Sequence, residues 1–286
     1  MMNTSKTSYK EYSFATHKEV YILLEQVFKE FGIHYYLIGA NARDIYMYKA
    51  GVKPSRGTAD IDFAVMLPDF DVHDRLYTVL KLRGFKEAYG NEPYRLYYEK
   101  SKTVIDLLPY GTIAQNNTVS FTERNLELSV IGFEEVGTET ELFEHPEGIS
   151  IPVSSAHGIV LLKLVSWSEK HERTKDLTDI KALLDIAWNL YENEFFSKNS
   201  PHADLFDVEN FDMYLSAARV MGRKMQTILN QNSKLKSTII YEIESELKSD
   251  AGNKSLQMAK DGRKTVEEIQ AIFNALWFGI NDSLNG

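Results

Sequence analysis

The chain has 286 residues, of which 43% are hydrophobic and 26% are charged, so it can form one large globular domain or two ordinary ones. It contains no cysteine, which excludes disulfides, thiol catalysis and zinc sites with cysteine ligands. Its formal net charge of −9 argues against broad, non-specific nucleic-acid binding, because proteins that coat nucleic acid are usually basic.

The N-terminal stretch, MMNTSKTSYKEYSFATH, lacks the apolar segment of a secretory signal. No apolar run elsewhere approaches the length of a membrane span. We therefore expect a cytoplasmic protein without membrane contacts, in which residues 1–16 form a short flexible tail.

The first half of the chain alternates predicted helices and strands. Apolar residues at helical spacing cover residues 17–31, and Gly32 ends this helix. A strand, a helix, a second strand and a further helix follow, in the segments HYYLIG, ARDIYMYKA, DIDFAVML and DVHDRLYTVLKLRGF. YRLYYEK and TVIDLLPY are predicted to form an antiparallel hairpin, and LELSVIGFEEV and GISIPV are further strand candidates.

The character of the chain changes after about residue 154, where the helical period dominates. The predicted helices are SAHGIVLLKLVSWSEKHER, KDLTDIKALLDIAWNLYE, VENFDMYLSAARVMGRKMQTIL, STIIYEIESELK and TVEEIQAIFNALWFGI. The pattern predicts an α/β (α+β) fold, with a mixed-sheet domain at residues 17–153 and a helical domain at residues 154–286.

Asp60 and Asp62 lie at the start of the predicted strand DIDFAVML. Side chains two apart in a strand point to the same face, so these carboxylates project together while Ile61 and Phe63 face the core. Two carboxylates held so close repel each other unless a cation lies between them, and Mg²⁺ with oxygen ligands is the usual solution. Taken alone, the same pair is also compatible with a solvated turn.

Two further features bear on this pair. Asp106 lies in the apolar segment TVIDLLPY, where burial of a charged side chain is costly unless it has a function or a partner. If this strand lies next to the strand DIDFAVML, the three carboxylates come together. Such a trio can hold two ions and orient a hydroxyl for in-line attack on phosphorus.

Gly39 forms a turn between a strand and a helix, which leaves backbone N–H groups aimed at an anion such as a triphosphate. Gly39 is equally compatible with an ordinary turn.

Together these segments resemble the polymerase-beta-type nucleotidyltransferase superfamily, in which a Gly-Ser or Gly-Gly turn precedes Asp-x-Asp and a third carboxylate on a later strand. RGTADIDF, from Arg56 to Phe63, is similar to the Arg-x-Thr-x-Asp-Ile-Asp signature of AbiEii-like nucleotidyltransferases. These are the toxin components of abortive-infection, type IV toxin–antitoxin systems. The resemblance covers residues 33 to about 190.

The family also places a lysine on one helix and an Arg-Asp-x-x-Asp stretch at the start of the next, which here correspond to Lys163, Asp176 and Asp179. The sequence departs from the pattern at Ala40, which replaces Ser or Gly, and at Lys175, which replaces Arg and loses bidentate geometry. Backbone N–H groups or Asn41 could substitute for the missing hydroxyl. Without the resemblance, the lysine could equally snorkel and the two aspartates could cap a helix N-terminus.

The resemblance implies a Mg²⁺-dependent enzyme that transfers a nucleoside monophosphate from a nucleoside triphosphate to an acceptor. The implied acceptor is the 3′ end of a transfer RNA, and the implied partner is a cognate antitoxin protein. The implied catalytic residues are Asp60, Asp62, Asp106, Lys163 and Asp176, of which the first three are also metal ligands. The implied nucleotide-binding residues are Gly39, Ala40, Asn41, Arg56, Thr58 and Asp179.

Two other functions remain open from the sequence. A small-molecule nucleotidyltransferase that modifies an aminoglycoside-type acceptor would suit the acidic net charge, since a cationic acceptor fits an acidic cleft. A non-catalytic nucleotidyltransferase fold that serves as a binding module is disfavoured by the intact carboxylates, which repel each other if nothing binds between them.

Overall fold

The computed structural model describes residues 8–197, 199–206, 209–249 and 252–283. The chain divides into two units, Met1–Ser155 and Ala156–Gly286. The division lies two residues beyond the boundary predicted from the change in sequence character. No helix in these described ranges is both long and apolar enough to cross a membrane.

A seven-stranded mixed sheet forms the centre of the first unit, in the order β3-β4-β5-β2-β1-β9-β8. The β2–β5 and β1–β9 pairs are parallel, and the other neighbours are antiparallel. Strands β6 and β7 form a separate antiparallel pair. The strands are β1 Tyr35–Ile38, β2 Asp60–Met66, β3 Phe85–Glu87, β4 Arg95–Tyr98, β5 Thr103–Tyr110, β6 Thr118–Phe121, β7 Leu126–Ser129, β8 Thr140–His145 and β9 Ile149–Ser154.

The helices of the first unit are α1 Lys18–Phe31, α2 Gly39–Lys49, α3 Phe70–Leu82 and α4 Phe133–Gly137. Helix α1 buries an apolar stripe, and its Tyr21 and Phe28 rings each lie 6.1 Å from the ring of Phe63 on β2. Since side chains alternate along a strand, this packing commits the Phe63 face of β2 to the core and leaves the Asp62 face on the other side.

The N-terminal segment is packed from residue 8 onward. Two 3₁₀ turns, Tyr9–Glu11 and Ser13–Thr16, precede α1, and Phe14 is fully buried. Its ring lies 5.1 Å from that of Phe143 and 5.7 Å from that of Tyr48. The flexible tail predicted for residues 1–16 therefore does not extend over residues 8–16, because the aromatic side chains of this stretch have a core to enter. Residues 1–7 lie outside the described residues.

Helices make up the described regular structure of the second unit. They are α5 Ala156–Glu169, α6 Thr174–Asp185, α7 Ala187–Phe195, α8 Met213–Leu229, α9 Ser233–Leu247, α10 Asn253–Met258 and α11 Val266–Asn281. The mixed α/β fold with a helical second part is thus confirmed. The segment predicted as one helix from Lys175 to Glu192 is instead two, which separate at Ile186.

Other departures from the predicted elements concern short segments. In LELSVIGFEEV only the first four residues form a strand, and Phe133–Gly137 is helical. Strands β3, β6 and β8 were not predicted. They are three to six residues long, which is too short for apolar periodicity to give a clear signal.

Candidate active site

The three acidic residues predicted for the site, Asp60, Asp62 and Asp106, lie on one face of the seven-stranded sheet. Ile61 and Phe63 are buried, while Asp60 is exposed and Asp62 half-buried, as alternation along β2 requires. Strands β2 and β5 are parallel neighbours, and Asp62 is paired in register with Asp106. Paired positions on neighbouring strands project to the same side, so Asp106 lies beside Asp62 although 44 residues of sequence position separate them.

Gly39 determines how closely the Asp62 carboxylate approaches helix α2. Its φ is +70°, and a Cβ built on it would lie 2.8 Å from Asp62 Cγ and closer still to Oδ2. Only a residue without a side chain fits there. The carboxylate therefore lies against the backbone where α2 begins, the end of a helix that favours negative charge.

The residues that follow Gly39 are buried and do not present their side chains to solvent. Ala40 is 7% exposed and Asn41 is fully buried. Asn41 Nδ2 donates a 2.6 Å hydrogen bond to the backbone oxygen of Asp60, and its Oδ1 has no hydrogen-bond partner among the described residues. The geometry gives Asn41 a role in fixing the start of β2, and its predicted contact with phosphate stays a prediction.

Arg56 and Thr58 belong to the loop that leads into β2. The backbone oxygen of Arg56 accepts a 3.0 Å hydrogen bond from Arg43, and the half-buried Arg56 side chain makes contacts of its own. Thr58 Oγ1 accepts a 3.3 Å hydrogen bond from the Asp60 N–H, and the Thr58 N–H donates to Ser13 Oγ at 2.9 Å. Both residues thus hold the loop in place beside Asp60.

Asp106 is engaged by a residue that was not singled out from the sequence. Arg95 on β4 lies directly opposite it in the antiparallel register, and Nε and Nη2 donate to its two carboxylate oxygens, each at 2.7 Å. These hydrogen bonds raise the pKa of Arg95 above its usual value, although burial opposes the shift. The sequence does not indicate Arg95, because the register of a strand is not readable from the segment YRLYYEK alone.

The acidic side chains on this sheet face can hold Mg²⁺ through two carboxylates. Among the described residues no group of three or more His, Asp or Glu side chains is arranged to hold a metal ion. Mg²⁺ usually keeps several waters and is bound through one or two carboxylates, so Asp60 and Asp62 suffice for it. The predicted third ligand, Asp106, shares the face of these two residues but is paired with Arg95.

His17 is a second residue near the carboxylates that no sequence pattern indicates. It is 6% exposed, and neither ring nitrogen has a hydrogen-bond partner among the described residues. Burial lowers the pKa of His17 to about 4, while the negative charge of Asp60 opposes the shift. The imidazole next to Asp60 is therefore neutral at physiological pH.

The predicted site residues of the second unit form a buried ion cluster. Lys163 Nζ on α5 lies 3.0 Å from Asp176 Oδ1 and 2.7 Å from Asp179 Oδ2, both on α6. Arg173 Nε donates to Asp176 Oδ2 at 2.7 Å, while Lys175 is exposed. Burial opposes ionisation of Asp176, but Lys163 and Arg173 outweigh it, so the pKa of Asp176 lies below its usual value.

This cluster supports a structural role for Lys163, which is 8% exposed and has both carboxylates within ion-pair distance. The departure noted at Lys175 is compensated from another position, because Arg173 supplies the arginine beside Asp176. The cationic partner was therefore present in the sequence two residues before the position where the family pattern places it.

No protein-family model matches the chain, and no curated protein matches it. Several solved structures are similar to it, of which two are described here. The first is an antigenic nucleotidyltransferase-like protein from Paracoccidioides brasiliensis, with 14% identity over 79% of this chain and 93% of that chain and a TM-score of 0.42. The second is the antibiotic-resistance factor ANT(2'')-Ia, with 14% identity over 60% of this chain and 84% of that chain and a TM-score of 0.36.

Proposed function

We propose that the first unit catalyses Mg²⁺-dependent transfer of a nucleoside monophosphate from a nucleoside triphosphate to a hydroxyl acceptor, with release of pyrophosphate. One observation carries this proposal more than any other. The Asp62 carboxylate lies against the Gly39 backbone at the start of α2 and is in register with Asp106 on the parallel neighbour β5. One sheet face thereby combines carboxylates that can bind a metal ion with a helix N-terminus that can bind phosphate, and binding of a metal-bound triphosphate requires both.

Each residue has a distinct part in this proposal. Asp60 and Asp62 would hold Mg²⁺, which would neutralise phosphate charge and polarise the phosphorus centre that is attacked. The backbone N–H groups of the Gly39 turn would contact phosphate oxygens. Asp106 would orient the acceptor hydroxyl and take up its proton, and Arg95 would hold the Asp106 carboxylate in place.

Lys163, Asp176 and Asp179 enter the proposal in a different way from the one that the family resemblance implies. Their mutual ion pairs support a role in holding α5 against α6. We therefore propose that these residues contribute to the architecture of the second unit, and that phosphate binding depends on residues of the first unit.

The finer proposal is an AbiEii-like toxin that acts in the cytoplasm, modifies the 3′ end of a transfer RNA and is neutralised by an antitoxin protein. Its support is the RGTADIDF signature together with the geometry of the carboxylates within it. An aminoglycoside-type acceptor is the second candidate, favoured by the net charge of −9.

The test combines purified protein, Mg²⁺, each labelled nucleoside triphosphate and either total RNA or an aminoglycoside panel. We expect label transfer that is abolished in Asp60→Asn and Asp62→Asn and retained in Asp71→Asn, an exposed control on α3. Label in RNA selects the first acceptor, and label in an aminoglycoside selects the second. A folded protein that transfers label to no acceptor would contradict the enzymatic proposal and favour a binding module.

A further inference from the structure

A cavity of about 510 Å³ lies in the first unit between helix α3, the β3–β4 hairpin, and strand β6 with the turn that follows it. Its volume is in the range of sites that bind small molecules. It borders the candidate active site at Arg95, the partner of Asp106. Neither Asp60 nor Asp62 belongs to its lining among the described residues. The cavity is therefore a separate place where a ligand can bind.

Aromatic rings form one wall of this cavity, contributed by Phe70 and His73 on α3 and by Phe121 on β6. The Phe70 ring meets the rings of His73 and Phe121 at interplanar angles of 66° and 80°, with centroids 5.9 Å and 5.7 Å away. These edge contacts hold the Phe70 ring in place, while 38% of the residue stays exposed. An exposed, fixed ring in a cavity wall favours a ligand with a flat aromatic face.

Two polar atoms of the same wall, His73 Nε2 and Tyr77 Oη, have no hydrogen-bond partner among the described residues. Both residues are 7% exposed, and their stacked rings have centroids 4.2 Å apart. A buried polar atom without a partner lowers the stability of the folded state. Two such atoms side by side in a cavity wall indicate a ligand that supplies the missing hydrogen bonds.

The other ring nitrogen of His73 determines what this ligand must present. His73 Nδ1 lies 2.9 Å from Asp74 Oδ1, and because a carboxylate only accepts, Nδ1 carries the hydrogen and donates it. In the neutral ring Nε2 is then an acceptor, whereas the Tyr77 hydroxyl can donate. The complementary ligand has an N–H donor and an acceptor on one edge, as a nucleobase has on its Watson–Crick edge.

The charged residues of the lining do not favour recognition through phosphate. Lys81 and Arg124 both pair with Glu87, at 2.5 Å and 3.5 Å, and Arg95 pairs with Asp106. Three cationic residues in the described lining face four acidic ones, which are Asp74, Glu87, Glu92 and Glu123. The lining thus offers no excess of positive charge to a phosphate group, and the flat base is the part of a nucleoside that it suits.

We infer that this cavity binds a nucleobase, which stacks on Phe70 and pairs through its edge with His73 Nε2 and the Tyr77 hydroxyl. The base N–H donates to His73, and the Tyr77 hydroxyl donates to the neighbouring acceptor of the base. The base belongs either to a free nucleoside or to an unpaired end of an RNA strand, since both present the same face and edge. This assignment uses none of the residues proposed to bind metal and does not depend on the proposed function.

The test is isothermal titration calorimetry in chelator, with adenosine, cytidine, guanosine and uridine as probes. We expect a nucleoside to bind, and Tyr77→Phe, which keeps the ring and removes the hydroxyl, to weaken binding by about tenfold. Phe70→Ala should weaken it by about tenfold or more. The matched controls Tyr97→Phe on β4 and Phe278→Ala on α11 should bind as the wild type does. No binding of any nucleoside, or full binding by Tyr77→Phe, would overturn the inference.

Thermal unfolding of the ligand-free protein separates a ligand contact from a structural role of Tyr77. Because the Tyr77 hydroxyl has no partner among the described residues, Tyr77→Phe should leave the melting temperature unchanged or raise it. A lower melting temperature in Tyr77→Phe would show that the hydroxyl is already paired within the fold, and would overturn its role toward a ligand.

Three further titrations identify the source of the base and the independence of the cavity. An RNA hexamer that binds about tenfold more tightly than the nucleosides would assign the base to RNA, and equal affinity would assign it to a free nucleoside. Tryptophanamide that binds as tightly as a nucleoside would refute recognition of the base edge. Asp60→Asn should retain nucleoside binding although label transfer is lost. Absence of transfer in the wild type would therefore leave this inference standing, and absence of nucleoside binding would leave the proposed function standing.

Discussion

Position 39 shows how one missing side chain shapes the candidate site. Gly39 has a φ of +70° and leaves the space that the Asp62 carboxylate occupies. Gly32, at the end of α1, has a similar φ of +64° but no atom within 4 Å of a Cβ placed on it. Both positions require a positive φ, but only position 39 also requires the absence of a side chain.

We predict that Gly39→Ala lowers the free energy of unfolding by more than Gly32→Ala and abolishes label transfer. An alanine at either position adds about 1 kcal/mol of left-handed backbone strain, but at position 39 it must also displace Asp62. Urea unfolding and the transfer assay measure the two effects. Label transfer in Gly39→Ala equal to that in Gly32→Ala would contradict the assigned role of the Gly39–Asp62 contact.

Local patterns in the sequence indicate the acidic residues but not the residues that lie next to them. Asp60 and Asp62 could be placed on one face because alternation along a strand is a local property. Arg95 and His17 approach the carboxylates through strand register and through packing of the N-terminal segment. Neither the register of a hairpin nor the packing of the N-terminal segment follows from the alternation of side chains within one strand.

At the scale of elements, one ion cluster connects α5 with α6. Lys163 extends from α5 to two aspartates in the first turns of α6, and Arg173 covers the outer oxygen of Asp176. Because the pKa of Asp176 lies below its usual value, its ionised form stabilises the folded state.

We predict that stability falls in acid partly through Asp176. The contribution is fully present above the ordinary aspartate pKa of 3.8 and is lost as the pH falls through the lower pKa of the folded state. Asp176→Asn should cost about 2 kcal/mol at pH 7 and reduce the acid dependence of unfolding. Glu172→Gln, a change of an exposed acid in the preceding loop, is the control. Equal acid profiles for Asp176→Asn and the wild type would refute the assignment.

Helices α8 and α11 cross at a pair of glycines. A Cβ on Gly222 would lie 3.0 Å from Gly279 Cα and closer still to the backbone oxygen of Leu276. These neighbours are backbone atoms of the other helix, so they can yield only if the helices move apart. The close approach is therefore a property of the pair of elements and not of either helix alone.

We predict that Gly222→Ala destabilises the protein by about 2–3 kcal/mol, although alanine is the better helix former. The control is Thr227→Ala, which lies on the exposed side of α8 and should have little effect. Thermal unfolding of both variants measures the difference. A Gly222→Ala variant as stable as the wild type would show that the helices can separate without cost.

The sequence predicted the long elements of the fold better than its short ones. Helix α1 and strand β2 have dense apolar periodicity, and their predicted and observed extents nearly coincide. The break at Ile186 lies inside a continuous helical pattern, so apolar periodicity does not reveal it. The same limit applies to the short edge strand β8, whose exposed side chains carry no apolar pattern.

At the scale of the whole molecule, negative charge is in excess. Asp and Glu number 41 against 32 Lys and Arg, so the folded chain already resists further concentration of negative charge. The Asp60–Asp62 pair adds a local repulsion that exists only when β2 is formed. Stability of the whole protein should therefore respond to divalent cations.

We predict that Mg²⁺ raises the melting temperature, because an ion held by Asp60 and Asp62 binds the folded state and not the unfolded chain. At a hundredfold excess over the dissociation constant the gain is about 2.7 kcal/mol, which corresponds to a shift of roughly 5–10 °C for a chain of this size. The Asp60→Asn/Asp62→Asn variant should show no Mg²⁺ shift. Sodium chloride at matched ionic strength is the control. A Mg²⁺ shift retained in the double variant would place the stabilising ion elsewhere.

The packed N-terminal segment has a practical consequence for anyone who trims the chain for crystallisation or labelling. A design guided by helix prediction would start the polypeptide at α1, which would delete Phe14 from its aromatic neighbours and Ser13 from the Thr58 N–H. Such a truncation would expose an apolar groove on the surface and remove a hydrogen bond that holds the loop leading into β2. Loss of activity in a shortened protein would then report damage to the scaffold, and it should not be counted against the assignment of the carboxylates.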